Sequence, residues 1–117
     1  MNGAQNYHSG LAAENAVARR YEETGYEIAN KRWKSAAGEV DLIARKNGNV
    51  IFIEVKKSRT FGRAAESLSA RQIARIYSSA EIFLADEPDG LNTDARFDVA
   101  LVNDTGHISI LENAICA

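Results

Sequence analysis

The sequence predicts an α/β fold, a mixed β-sheet flanked by helices, with elements in the order α-β-β-β-α-β-β. Three observations carry that expectation. Asn47-Gly48 stands between two strand-like apolar runs and marks a tight hairpin. Ser69, with Gln72 three residues on, forms a capping box that opens a one-sided helix. Two further strand-like runs follow that helix, so the chain crosses over and returns to the sheet.

Ser9 is placed to cap a helix from Gly10 to Thr24. Ala13, Ala16, Val17 and Tyr21 recur on it at helical spacing, and Gly25 is a natural stop. Tyr26 to Lys31 alternates as a short strand, and Trp33 to Ala37 reads as a loop. Glu39 to Lys46 and Val50 to Lys56 are the hairpin strands. Thr60 to Leu68 is irregular. The capped helix then places Ile73, Ile76, Tyr77, Ala80, Phe83 and Leu84 on one face and ends before Pro88. Arg96 to Val102 alternates Phe97, Val99 and Leu101 on one side. Asn103 to Gly106 is a turn, and Ile108 to Leu111 is the last strand.

The chain has 117 residues, room for one domain, with residues 1–8 as a flexible lead. No apolar run is long enough to span a membrane, and the N-terminus lacks the pattern of a signal peptide, so the expected compartment is the cytoplasm. One cysteine, Cys116, makes neither an internal bridge nor a zinc knuckle, and no base stands beside it to activate it. His8 and His107 have no partner at ligand spacing. A net charge of −2 argues against a uniformly basic nucleic-acid binder. That total is a cancellation: residues 31–75 hold 11 Lys+Arg against 4 Asp+Glu, while residues 80–117 hold 1 against 8.

The hairpin fixes where the acids land. A two-residue turn makes Lys46 and Asn49 the first pair, which puts Asp41 opposite Glu54 and Glu39 opposite Lys56. Alternation then gathers positions 39, 41, 54 and 56 on one face, with Val40, Leu42, Ile51, Ile53 and Val55 on the other. A three-residue loop would separate Asp41 from Glu54. Two ionised carboxylates this close repel by roughly 4 kcal/mol at 4 Å and an effective dielectric of 20. A divalent cation reverses that sign, because Mg²⁺ is held by one or two carboxylates plus waters and phosphate. Lys56, two residues from Glu54, is placed to orient a water or offset transition-state charge. Glu14 is a further, helical acid upstream.

Gly38-Glu39-Val40-Asp41-Leu42-Ile43-Ala44 and Phe52-Ile53-Glu54-Val55-Lys56 resemble the Asp…Glu-x-Lys core of restriction-endonuclease-like nucleases. More narrowly, they resemble the YraN-like family of small bacterial proteins, whose nearest fold relatives are archaeal Holliday-junction resolvases. Ala13-Glu14, Tyr21 with Gly25-Tyr26, Asn30-Lys31-Arg32, Arg96-Phe97-Asp98-Val99 and Asn113-Ala114 extend the likeness over nearly the whole chain. The resemblance implies a restriction-endonuclease-like sheet with Asp41 and Glu54 as metal ligands. It makes Lys56 the catalytic lysine and Glu14 an acid reaching toward the site. Two positions depart from the family. Its usual arginine after the motif lysine is Ser58 here, flanked by Lys57 and Arg59, and its usual helical lysine is Gln72, a residue some exonuclease-like relatives use.

The expected activity is therefore Mg²⁺- or Mn²⁺-dependent cleavage of DNA, including branched DNA, as an endonuclease. The rival is a nucleic-acid-binding or scaffolding protein on a nuclease fold. Candidate nucleic-acid contacts are Lys31, Arg32 and Trp33, where base and aromatic interleave, with Lys57, Arg59, Arg63, Gln72 and Arg75 after the motif. Trp33 packing over the sheet edge is the plainer reading of that residue. Asp98 reads as a surface acid, with support of the site from a neighbouring strand as the alternative. Cleavage of two strands would suit a homodimer, with Ile108 to Leu111 as the joining edge.

Overall fold

The computed structural model describes residues 3–114, and side chains from Gly10 onward. Cys116 lies outside the described residues, as do the side chain of His8 and, from the lead, Met1 and Asn2. The elements are α1 (Gly3–Glu23), β1 (Glu27–Ser35), β2 (Gly38–Lys46), β3 (Asn49–Lys57), α2 (Phe61–Glu66), α3 (Ala70–Ala85), a 3₁₀ turn (Gly90–Asn92), β4 (Ala95–Val102) and β5 (Ile108–Leu111). The five strands lie in chain order, β1-β2-β3-β4-β5. All neighbours are antiparallel except β3 and β4, which α3 joins in parallel. The mixed sheet with helices on both faces is the expected α/β architecture. No described helix is long and apolar enough to cross a membrane.

One face of the sheet carries α1. Val17, Ala18 and Tyr21 pack there on Leu42, Ala44, Ile51, Ile53 and Ala100. The other face carries α2 and α3. Ala80 and Leu84 cover Val40, Ile43, Val50 and Phe52, while Ala64 and Ile76 cover Val99 and Leu101. The strand alternation in β3 and β4 thus feeds two cores from one sheet.

Five expectations need correction. Helix α1 begins at Gly3, so Ser9 lies within it and does not cap it. Strand β1 continues through Ser35, leaving only Ala36-Ala37 as the turn into β2; Trp33 is a strand residue, paired with Val40. The stretch after the motif contains α2, capped where the Thr60 hydroxyl accepts the Arg63 N–H at 3.2 Å. Val40 does not share the face of Leu42. Alternation breaks opposite it in β1, at Arg32 with φ 51°, so Lys31 reaches Asn15 on α1 while Trp33 packs beside Phe83 under α3.

Asp98 is fully buried rather than a surface acid. It accepts from the Tyr21 hydroxyl at 2.7 Å, from Arg96 Nε at 2.9 Å and from the Asn113 N–H at 2.9 Å. A buried carboxylate persists only when paired and hydrogen-bonded in this way. The network ties α1, β4 and the segment after β5 together.

Candidate metal centre

The site grows from the β2–β3 hairpin. Asn47 and Gly48 take φ values of 53° and 82°, the positive pair a tight hairpin turn requires. The ladder then runs in the expected register, from Lys46↔Asn49 to Leu42↔Ile53. There it stops. In an unbroken ladder the next hydrogen-bonded rung would join Val40 to Val55. Instead β2 stays with β1, through Trp33↔Val40 and Lys34↔Glu39, and β3 stays with β4, through Glu54↔Val99 and Lys56↔Leu101. The two strands part, and the Asp41 carboxylate fills the gap: its Oδ2 accepts the Val55 N–H at 2.8 Å.

Glu54 faces Asp41 across this gap and hydrogen-bonds it. Burial, then the hydrogen bond to Asp41 and the Asp41 charge, pushes the Glu54 carboxyl up to about 9; Lys56 and Arg75 pull it the other way. Burial and the neighbouring Asp41 charge therefore favour the protonated form of Glu54. Glu39, Gln72, Arg75 and Ile76 complete the lining of the cleft, which measures about 220 Å³. That is below the roughly 300–1,000 Å³ of pockets that enclose a drug-sized ligand.

The donors fit a hard divalent ion. Two carboxylates face one another, one of them already anchored by a backbone N–H, as Mg²⁺ sites completed by water and phosphate require. Among the described residues no group of three or more His, Cys, Asp or Glu side chains is placed to hold a metal ion by itself. The set does not fit a closed structural zinc site, which takes four protein ligands.

The remaining predicted residues divide between two faces. Lys56 is half-buried on β3 and acts on Glu54 through its charge. Gln72 and Arg75 come from α3 to the cleft, though Gln72 Oε1 is engaged with the Ser69 N–H at 3.0 Å. Arg59 and Arg63 are exposed around α2. On the α1 side, Glu14 does not line the cleft; its carboxylate bonds Arg32 Nε at 2.8 Å. Lys31 is there too, and Lys57 lines a separate hollow with Ala12, Ala16 and the β4–β5 turn. The Trp33 ring stands edge-on to Phe83 at 5.4 Å. Sequence reasoning missed the Val55 N–H and the fully buried Ser79, whose Oγ lies 3.5 Å from where a Cβ on Gly38 would stand. Gly38 was the available signal for the second; nothing in the sequence marks the first.

Comparison with known proteins returns one family model, described as uncharacterised protein family UPF0102, matching residues 13–102. A UPF0102 protein of Ruegeria pomeroyi is 55% identical over 112 residues, covering 96% of this chain and 91% of the relative. One from Cereibacter sphaeroides is 53% identical over the full length of both chains. Another, from Dinoroseobacter shibae, is 43% identical over 105 residues, 90% of this chain and 78% of its own.

Proposed function

This chain belongs to the uncharacterised protein family UPF0102, and we propose that it is a Mg²⁺- or Mn²⁺-dependent phosphodiesterase acting on DNA, including branched DNA. The observation that carries the reading is the Asp41–Glu54 pair held across the parted strands, with Lys56 beside it on β3. A divalent ion bound there supplies an acidified water and an anchor for the phosphate.

The protein's own groups do the rest. Asp41, fixed by the Val55 N–H, and Glu54 hold the ion. Lys56 orients the attacking water and offsets charge on the phosphorus oxygens as the P–O bond to the leaving strand breaks. Arg59, Arg63 and Arg75 hold flanking phosphates on the α2–α3 face, and two copies joined through β5 would present two such sites. The test is cleavage of linear, flapped and four-way DNA with Mg²⁺ or Mn²⁺. Wild type cleaves and Asp41→Asn does not; equal cleavage by both overturns the reading.

One observation favours a second reading, a DNA-binding or scaffolding protein without catalysis: Glu14, the acid the resemblance sends to the site, is paired with Arg32 instead. Intact DNA affinity without any Mn²⁺ uptake would select it.

A further inference from the structure

We propose that Arg75 seats a DNA phosphate beside the Asp41–Glu54 pair once a divalent ion offsets the charge of the acids, so that cation and DNA bind the cleft cooperatively. The inference rests on the metal-dependent reading of this cleft.

Helix geometry supplies the placement. Gln72, Arg75, Ile76 and Ser79 fall at i, i+3, i+4 and i+7, one face of α3. Ile76 is 3% exposed and Ser79 fully buried, so they fix the rotation of the helix about its axis. Ser79 is further held by the Ser35 hydroxyl at 3.4 Å. The Arg75 stem then lies across Gly38: a Cβ there would meet Arg75 Cβ at 3.5 Å and Cδ at 3.7 Å. The stem thus runs in van der Waals contact with Gly38, at the start of β2, and Arg75 lines the acidic cleft.

Partnering singles this residue out. Arg32, Arg45 and Arg96 are each committed to a carboxylate, Glu14, Glu87 and Asp98. Gln72 spends its amide oxygen on the helix cap. Arg75 makes no salt bridge within 4.0 Å among the described residues, yet its charge acts on Glu54. Its planar fork of donors therefore remains open, and it suits a phosphate better than an ammonium would.

Charge makes the two events interdependent. Without a cation, the negative charge of Glu39 and of the Asp41–Glu54 pair repels a phosphate from the cleft. A divalent cation offsets that charge, so that a phosphate reaches the open Arg75 fork. By linkage, DNA must then tighten cation binding by the same factor that cation tightens DNA binding.

The test measures binding, not turnover. Ca²⁺ and a short DNA duplex are titrated, separately and together, into wild type, Arg75→Gln and Arg75→Lys. Mn²⁺ titration of wild type and Asp41→Asn runs alongside. Wild type should bind the duplex more tightly with Ca²⁺ present. In Arg75→Gln the duplex affinity with Ca²⁺ should fall about tenfold or more, with the salt dependence shallower by about one phosphate contact. The coupling factor should shrink toward one, while cation affinity without DNA holds or rises. Arg75→Lys should recover part of the loss. Unchanged duplex affinity and coupling in Arg75→Gln overturns the inference alone, provided Mn²⁺ uptake is present in wild type and lost in Asp41→Asn. Should wild type take up no Mn²⁺, or Asp41→Asn take it up equally, the metal-dependent reading falls and this inference with it.

Discussion

Asp41 Oδ2 accepts the N–H of Val55 at 2.8 Å, on the rung that the Val40 carbonyl would fill if β2 and β3 stayed paired. One carboxylate thus does two jobs. It closes the open end of a ladder, so no buried donor is orphaned where the strands part, and it is itself held for a ligand.

That double role separates two substitutions. Asparagine keeps an acceptor for Val55 and removes the charge facing Glu54, whereas alanine leaves the N–H without its partner. In urea denaturation without divalent ions, Asp41→Asn should be at least as stable as wild type. Asp41→Ala should fall below Asp41→Asn by about 1–3 kcal/mol.

The Glu54 carboxyl, raised by burial and by Asp41 from 4.5 to about 9, makes the metal-free protein pH-sensitive. A carboxyl whose folded value exceeds its unfolded one contributes stability that is full below the unfolded value and lost as pH rises through the folded one. The urea midpoint of metal-free wild type should therefore decline between pH 4.5 and about 9. Glu54→Gln, neutral throughout, should show a flatter profile over the same window.

The Asp98 network should matter for stability and not for the cleft. Burial, then the bond to Asp98, pushes the Tyr21 phenol up, so it remains a donor. Tyr21→Phe removes one of the donors to a fully buried carboxylate and should cost about 1–3 kcal/mol. Arg96→Met leaves that charge without its cation and should cost about 3 kcal/mol or more. Denaturation midpoints measure both, and Mn²⁺ uptake should be unaffected in either variant.

The register depends on the hairpin turn, and Gly48 isolates its contribution. A Cβ there would meet nothing within 4 Å, so its penalty is the φ of 82° alone. Gly48→Ala should cost about 1–2 kcal/mol by chemical denaturation and leave Mn²⁺ affinity unchanged if the strands keep their pairing.

The acidic pair was legible in the sequence because Asn47-Gly48 admits few turns, and a turn sets every opposed residue after it. The α3 face was legible for the same kind of reason, since a capping box and a 3.6-residue period are local. What escaped was settled by distant partners. Asp98 looks like any polar residue on a strand until Tyr21, 77 residues away, is brought to it. Val40 alternates correctly on paper, yet it joins the core under α3 beside its partner Trp33, next to the positive φ at Arg32. The end of the ladder at Leu42↔Ile53 was equally hidden, because there a side chain replaces a backbone group. Helix α2 is only six residues long and rests on a Thr60 cap and one buried residue, Ala64, too short for a periodic signal.

The central claim is that Asp41 and Glu54 hold a divalent cation between parted strands. Calorimetric titration of Mn²⁺ into wild type and Asp41→Asn tests it most directly, since the asparagine variant should be folded. The prediction is uptake at a single site in wild type and no uptake in Asp41→Asn. Absence of uptake by wild type, or equal uptake by both proteins, would contradict it.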